Sequence, residues 1–153
     1  MATIEYVETS DWLNLSCTID EYFTHYNNYI FRGHADADWK LESTLARVVN
    51  KTYKKMSDRQ QATSDQIKQF KENIRGRTHL DLNKTTDDEI WALGQHFGLY
   101  TPLLDWTRSP YVALFFSLFG PSASGKRVLW AILEEDIVRI SKKNKKRTAK
   151  SMW

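Results

Sequence analysis

Three short stretches set polar side chains among bulky apolar ones: Phe31-Arg32-Gly33, Gln95-His96-Phe97-Gly98-Leu99 and Leu103-Leu104-Asp105-Trp106-Thr107. An arginine beside a glycine can aim a rigid, permanently charged fork at an anion while the backbone comes close. The same arginine can instead pair with a carboxylate, and Asp105 is available for that. His96 falls near the end of an amphipathic helical pattern. An imidazole there either interacts with the last carbonyls of the helix or serves as a catalytic group. Asp105 stands between Leu104 and Trp106, where a carboxylate is costly unless bonded. It reads as a turn cap, a partner for Arg32 or a catalytic group. Thr107 either binds a ligand or helps cap the helix that follows.

Other chemistries fit poorly. The four histidines include no close pair, so no metal centre is expected. The six glycines are scattered and form no phosphate-binding loop. No serine sits in a nucleophile elbow. Cys17 is the single cysteine, which excludes an internal disulfide and a Cys-rich zinc site; a packed core thiol is the expectation. The composition, 41% hydrophobic and 27% charged over 153 residues, is that of an ordinary one-domain globular chain. It excludes a disordered acidic chain and a disulfide-dense scaffold. No apolar run approaches the roughly 18 residues of a membrane span. The N-terminus lacks a basic region followed by an apolar stretch. No membrane association and a cytoplasmic location are therefore expected.

Charge is unevenly spread. The net is +3, yet after Ile140 come Lys142, Lys143, Lys145, Lys146, Arg147 and Lys150 and no acid. The first 140 residues hold sixteen bases against all nineteen acids, a net of −3. A nucleic-acid partner would therefore be sought first at Lys142–Lys150. A solvated, flexible tail is the plainer reading.

The elements that must position these residues follow from the pattern. Thr18-Ile19-Asp20-Glu21 reads as a capping box opening a short helix. Residues 29–33 read as a strand ending at a glycine. Residues 43–78 carry nine Lys or Arg against three acids and a sparse apolar stripe. They predict two amphipathic helices, broken near 56–64. Thr86-Asp87-Asp88-Glu89 is a second capping box, and Gly98 a suitable helix stop. Residues 101–107 read as a strand or extended turn. Ser109-Pro110 should start a helix that is apolar almost all round and central to the core. Residues 127–133 are the clearest strand. The expected fold class is α+β: a single domain with a small mixed sheet flanked by amphipathic helices. A lead-in covers 1–28, the main domain 29–140 and the basic tail 141–153.

The three stretches, in order and at these separations, resemble the FRG domain family, which is named for the Phe-Arg-Gly triplet. Ala113-Leu114-Phe115-Phe116 extends the resemblance, which covers roughly 29–133. The chain departs from the family's usual pattern at His34, where Gln is frequent. It departs again at Tyr100-Thr101-Pro102, which lacks an arginine. The resemblance implies an analogy with ADP-ribosyltransferases, and so an incomplete fold of that kind and NAD as cofactor. It implies a toxin or effector acting in bacterial or phage conflict, with an antitoxin or other protein as partner. By that analogy Arg32, His96 and Asp105 form the catalytic set, gathered in one pocket. Arg32, Gly33, His34, Trp106 and Thr107 would hold the cofactor. Glu134 and Glu135 follow the clear strand, which is an earlier strand than the one the analogy requires for the catalytic glutamate, and that glutamate is not identified. A non-catalytic protein- or nucleotide-binding module is the alternative.

Overall fold

The computed structural model describes residues 6–23 and 28–139. The tail 141–153 lies outside them. Along the chain run α1 (Trp12–Phe23), β1 (Tyr29–His34), α2 (Thr44–Thr52), α3 (Met56–Ile74), α4 (Asp87–His96), α5 (Pro110–Leu118) and β2 (Val128–Leu133). A short helical segment follows over 134–139. The class is α+β, as expected. The sheet is small, and among the described residues it is antiparallel rather than mixed. β1 pairs with β2 from Tyr29↔Leu133 to His34↔Val128.

The chain forms two compact units. One comprises Met1–Trp39 with Trp106–Trp153, the other Lys40–Asp105. In the first, α5 lies along β1 and β2. Ile19, Phe31, Ala35, Ala113 and Leu114 are its buried apolar residues. The Phe23 ring stacks edge-on against Phe31 and Tyr29, at 5.1 and 5.0 Å. In the second, α2, α3 and α4 pack around Leu45, Val49, Ile67, Ile90 and Trp91.

Local chemistry explains most helix ends. Ser43 caps α2 by accepting from Ala46 N. Thr86 and Glu89 complete the expected capping box of α4. Gly98 follows in the left-handed region at φ +81°, where a side chain would be strained. Ser109 accepts from Val112 N, and Pro110 opens α5 where its missing N–H is not needed.

Several expectations fail for physical reasons. The box at Thr18 does not start α1, which begins six residues earlier. Asp11 accepts from Asn14 N there, and Thr18 donates back to Asn14 O inside the helix. The break between the basic helices falls at 53–55, and Met56 already belongs to α3. Residues 101–106 form no strand; only Thr107 pairs, as an isolated bridge to Phe31. Cys17 is exposed, not packed. α5 is not central to the core. Ala113, Leu114 and Ser117 are buried, while Phe115 and Phe116 are 55% and 59% exposed. A two-stranded sheet offers a helix one narrow surface, so only one stripe of α5 is covered.

Candidate functional site

The Phe-Arg-Gly triplet, Thr107 and α5 pack together in the first unit. Phe31 N donates to Thr107 O at 2.7 Å, and Thr107 N returns a bond to Phe31 O at 2.9 Å. This bridge ties the Phe-Arg-Gly triplet to the Asp-Trp-Thr stretch. Phe31 is 2% exposed, so the ring of the triplet is a core residue. Gly33 allows α5 to approach: an added Cβ would fall against Ala113 O and 2.7 Å from Ser117 N. Triplet, bridge and apolar helix thus share one packing arrangement.

Arg32 and His34 alternate with these packing residues along β1. Arg32 is half-buried and His34 buried. Arg32 Nε donates to His34 Nε2 at 3.3 Å. Trp130, the cross-strand partner of Arg32, donates its indole N–H to His34 Nδ1 at 3.3 Å. Thr107 Oγ1 accepts from Ser109 N at 3.2 Å, which shapes the turn into α5 and leaves the hydroxyl proton to be donated. Trp106 is half-buried in the same unit.

Of the expected catalytic set, Arg32 belongs to the first unit, and His96 and Asp105 to the second. His96 ends α4, exposed, with its ring 6.0 Å from that of Phe97. Asp105 is exposed, and its Oδ1 accepts from the side-chain amide of Gln95. Gln95 is itself oriented by the buried Thr101, whose hydroxyl donates to Oε1 at 2.5 Å. An amide that accepts through oxygen must present its N–H₂ to the other neighbour, so Thr101 fixes which end faces Asp105. Gln95 and Thr101 were visible within or beside the motif residues. Their roles were not, because they depend on how α4 meets the 101–105 segment.

Asp36, like Gln95 and Thr101, takes a role that its local sequence does not mark. It is 2% exposed. Its carboxylate accepts from Asp38 N at 2.9 Å, Ser124 N at 3.0 Å, Ser124 Oγ at 2.8 Å and Ala123 N at 2.5 Å. The Asp38 backbone bond, then those from Ser124, hold this carboxyl well below the usual carboxylate range. The group clamps the 122–124 loop to the end of the Phe-Arg-Gly strand. Glu134, just after β2, forms an ion pair with Arg108 at 2.8 Å. An open cleft of about 440 Å³ in the second unit is lined by Leu45, Val49, Asn50, Arg59, Ile67 and Trp91, none of them a candidate catalytic or cofactor residue.

Among the described residues no three His, Cys, Asp or Glu side chains gather as a metal site. No helix among them is long and apolar enough to cross a membrane. The FRG domain model matches residues 27–126. The chain therefore belongs to the FRG domain family. Searches of curated proteins and of solved structures return no match.

Proposed function

We propose that this FRG-domain protein binds NAD at the end of β1 and acts as an ADP-ribosyltransferase-like effector. The observation that supports it most is the Phe31–Thr107 bridge. It joins a buried packing frame to two donors, the Arg32 guanidinium and the Thr107 hydroxyl. Such donors suit an acceptor-rich ligand with phosphate and ribose oxygens. Arg32 would hold a phosphate or ribose group, and Trp106 and Thr107 would line the neighbouring position. NAD would supply the ADP-ribosyl group, with nicotinamide as leaving group. Conflict between bacteria and phage is the setting for the effector, with an antitoxin as protein partner.

The test is incubation of the full chain with NAD labelled in its adenylate moiety, together with cell lysate and nucleic acid. Labelled product is expected with the wild type. It should be lost with Arg32→Ala while the circular dichroism spectrum is retained. Neither NAD binding nor transfer would overturn the reading. The alternative, a non-catalytic nucleotide-binding module, has a specific observation in its favour. Glu134, the carboxylate directly after β2, is engaged with Arg108. NAD binding without transfer would select that alternative.

A further inference from the structure

The outer edge of β2 lacks a neighbour. Phe31 turns both its N–H and its C=O outward to Thr107. In an antiparallel pair both groups of a residue point the same way, and successive residues alternate. Ala131 faces Phe31 across the sheet, so it points outward as well. Leu129 and Leu133, opposite Gly33 and Tyr29, do the same. Glu134 N, which donates inward to Asn28 O at 2.8 Å, fits this alternation. Thr107 closes the edge of β1 at Phe31. Among the described residues nothing bonds the outward backbone groups of Leu129, Ala131 and Leu133. Native edges are guarded by charges, proline or bulges. β2 reads Val-Leu-Trp-Ala-Ile-Leu in continuous register and has none of these. Two strands are also few, since sheets commonly have about four to six.

The edge fits a second copy of itself. Its outward set is centred on Ala131. A two-fold axis there sets Ala131 against Ala131 of the second copy, and Leu129 against Leu133 of the second copy. Every outward donor then meets an acceptor, and a methyl group rather than a bulky side chain sits on the axis. Charge selects the same arrangement. Lys126 and Arg127 precede β2, and Glu134, Glu135 and Asp136 follow it. Antiparallel copies bring the basic end of each beside the acidic end of the other, whereas parallel copies would stack like charges. The register brings Arg127 toward Glu135 of the second copy, and both are exposed. Arg108 holds Glu134 and Arg139 holds Asp136, which leaves Glu135 for that contact. Arg127 gives Nη1 to Ser117 O and keeps Nη2 for it.

We propose that the chain forms a two-fold dimer through β2, its sheet joining that of a second copy antiparallel about Ala131 into one of four strands. The dimer is independent of the nucleotide reading: it needs β2 and the charges that flank it, not the donors of β1.

The test combines sedimentation equilibrium of the full chain, from about 1 μM to about 1 mM, with amide hydrogen exchange over the same range. A monomer–dimer equilibrium is expected, with exchange at Leu129, Ala131 and Leu133 slowing as concentration rises. Ala131→Pro removes only an outward N–H, a place where an edge strand accepts proline. It should raise the dissociation constant about tenfold or more, since each copy loses a hydrogen bond at the axis. Glu135→Arg should weaken the dimer, and adding Arg127→Glu to it should restore the affinity. A chain that stays monomeric across the range would overturn the proposal. So would a dimer that leaves the three amides unprotected, because it would use another face. Amides protected equally at every concentration would overturn it too, since a segment of the same chain would then cover the edge.

Discussion

At Gly33 the backbone of β1 comes so near α5 that a methyl group there would meet the Ala113 carbonyl and the Ser117 nitrogen. Both are backbone atoms in a capped helix and cannot swing aside. Gly33→Ala should therefore cost roughly 3 kcal/mol, the upper range for overpacking, read as a shift in the urea midpoint. Asp36 makes a prediction about pH. Its folded carboxyl titrates below the unfolded value of about 3.9. Its contribution is fully present above that value and is lost as pH falls toward the folded one. Asp36→Asn should destabilise the protein at pH 7 and flatten the decline in stability below pH about 4. Equal acid-unfolding curves for the two proteins would remove the clamp. These two residues differ in how readable they were. Gly33 stood inside a recognisable triplet, although its packing partner was not visible. Asp36 could not be found, because its acceptor role depends on Ala123 and Ser124, more than eighty positions away. A local signal existed only in the bond from Asp38 N, an Asx turn.

Helix α5 shows what composition conveys about an element and what it leaves out. Its boundaries were legible, because Ser109 and Pro110 satisfy rules that involve neighbouring residues alone. The capping box at Thr86 was legible for the same reason. The burial of α5 was not legible, since that depends on how much surface the partner sheet offers. With apolar residues on every side there was no periodicity to mark a face. The two faces should respond differently to substitution. Leu114, 7% exposed against the sheet, should cost about 3 kcal/mol as Leu114→Ala. Phe116→Lys should change stability by no more than about 0.5 kcal/mol, as for a surface position. A Phe116→Lys loss as large as that of Leu114→Ala, measured by thermal unfolding, would mean that this face is covered in solution. The Thr18 box shows the opposite failure. A correct local signal was outcompeted by an earlier start at Asp11, after which Thr18 simply bonded back along the helix.

For the whole molecule, charge separates into two populations that the net value of +3 hides. The family match ends at residue 126, inside the part of the chain whose bases and acids sum to −3. The positive excess comes from Lys142, Lys143, Lys145, Lys146, Arg147 and Lys150. Bases also occur along α2 and α3, but several are already engaged. Lys71 pairs with Asp87, and Arg59 donates to the Tyr53 and Lys54 carbonyls. Any attraction to a polyanion should thus come mainly from the six tail charges. Replacing all six by Gln changes the net charge from +3 to −3 without altering residues 1–140. The variant should keep the thermal midpoint of the wild type and lose its retention on a heparin column at neutral pH. For nucleic acid the same logic applies to the salt dependence. Each phosphate that the protein neutralises contributes roughly 0.9 to the log–log slope on duplex DNA, so the variant's slope should be shallower by a multiple of that value. A slope equal to that of the wild type would transfer the binding of polyanions to Lys51, Lys54, Lys55 and Lys68, which are exposed on and between α2 and α3. That outcome would reassign a nucleic-acid partner from the tail to the helical unit, within the FRG match itself.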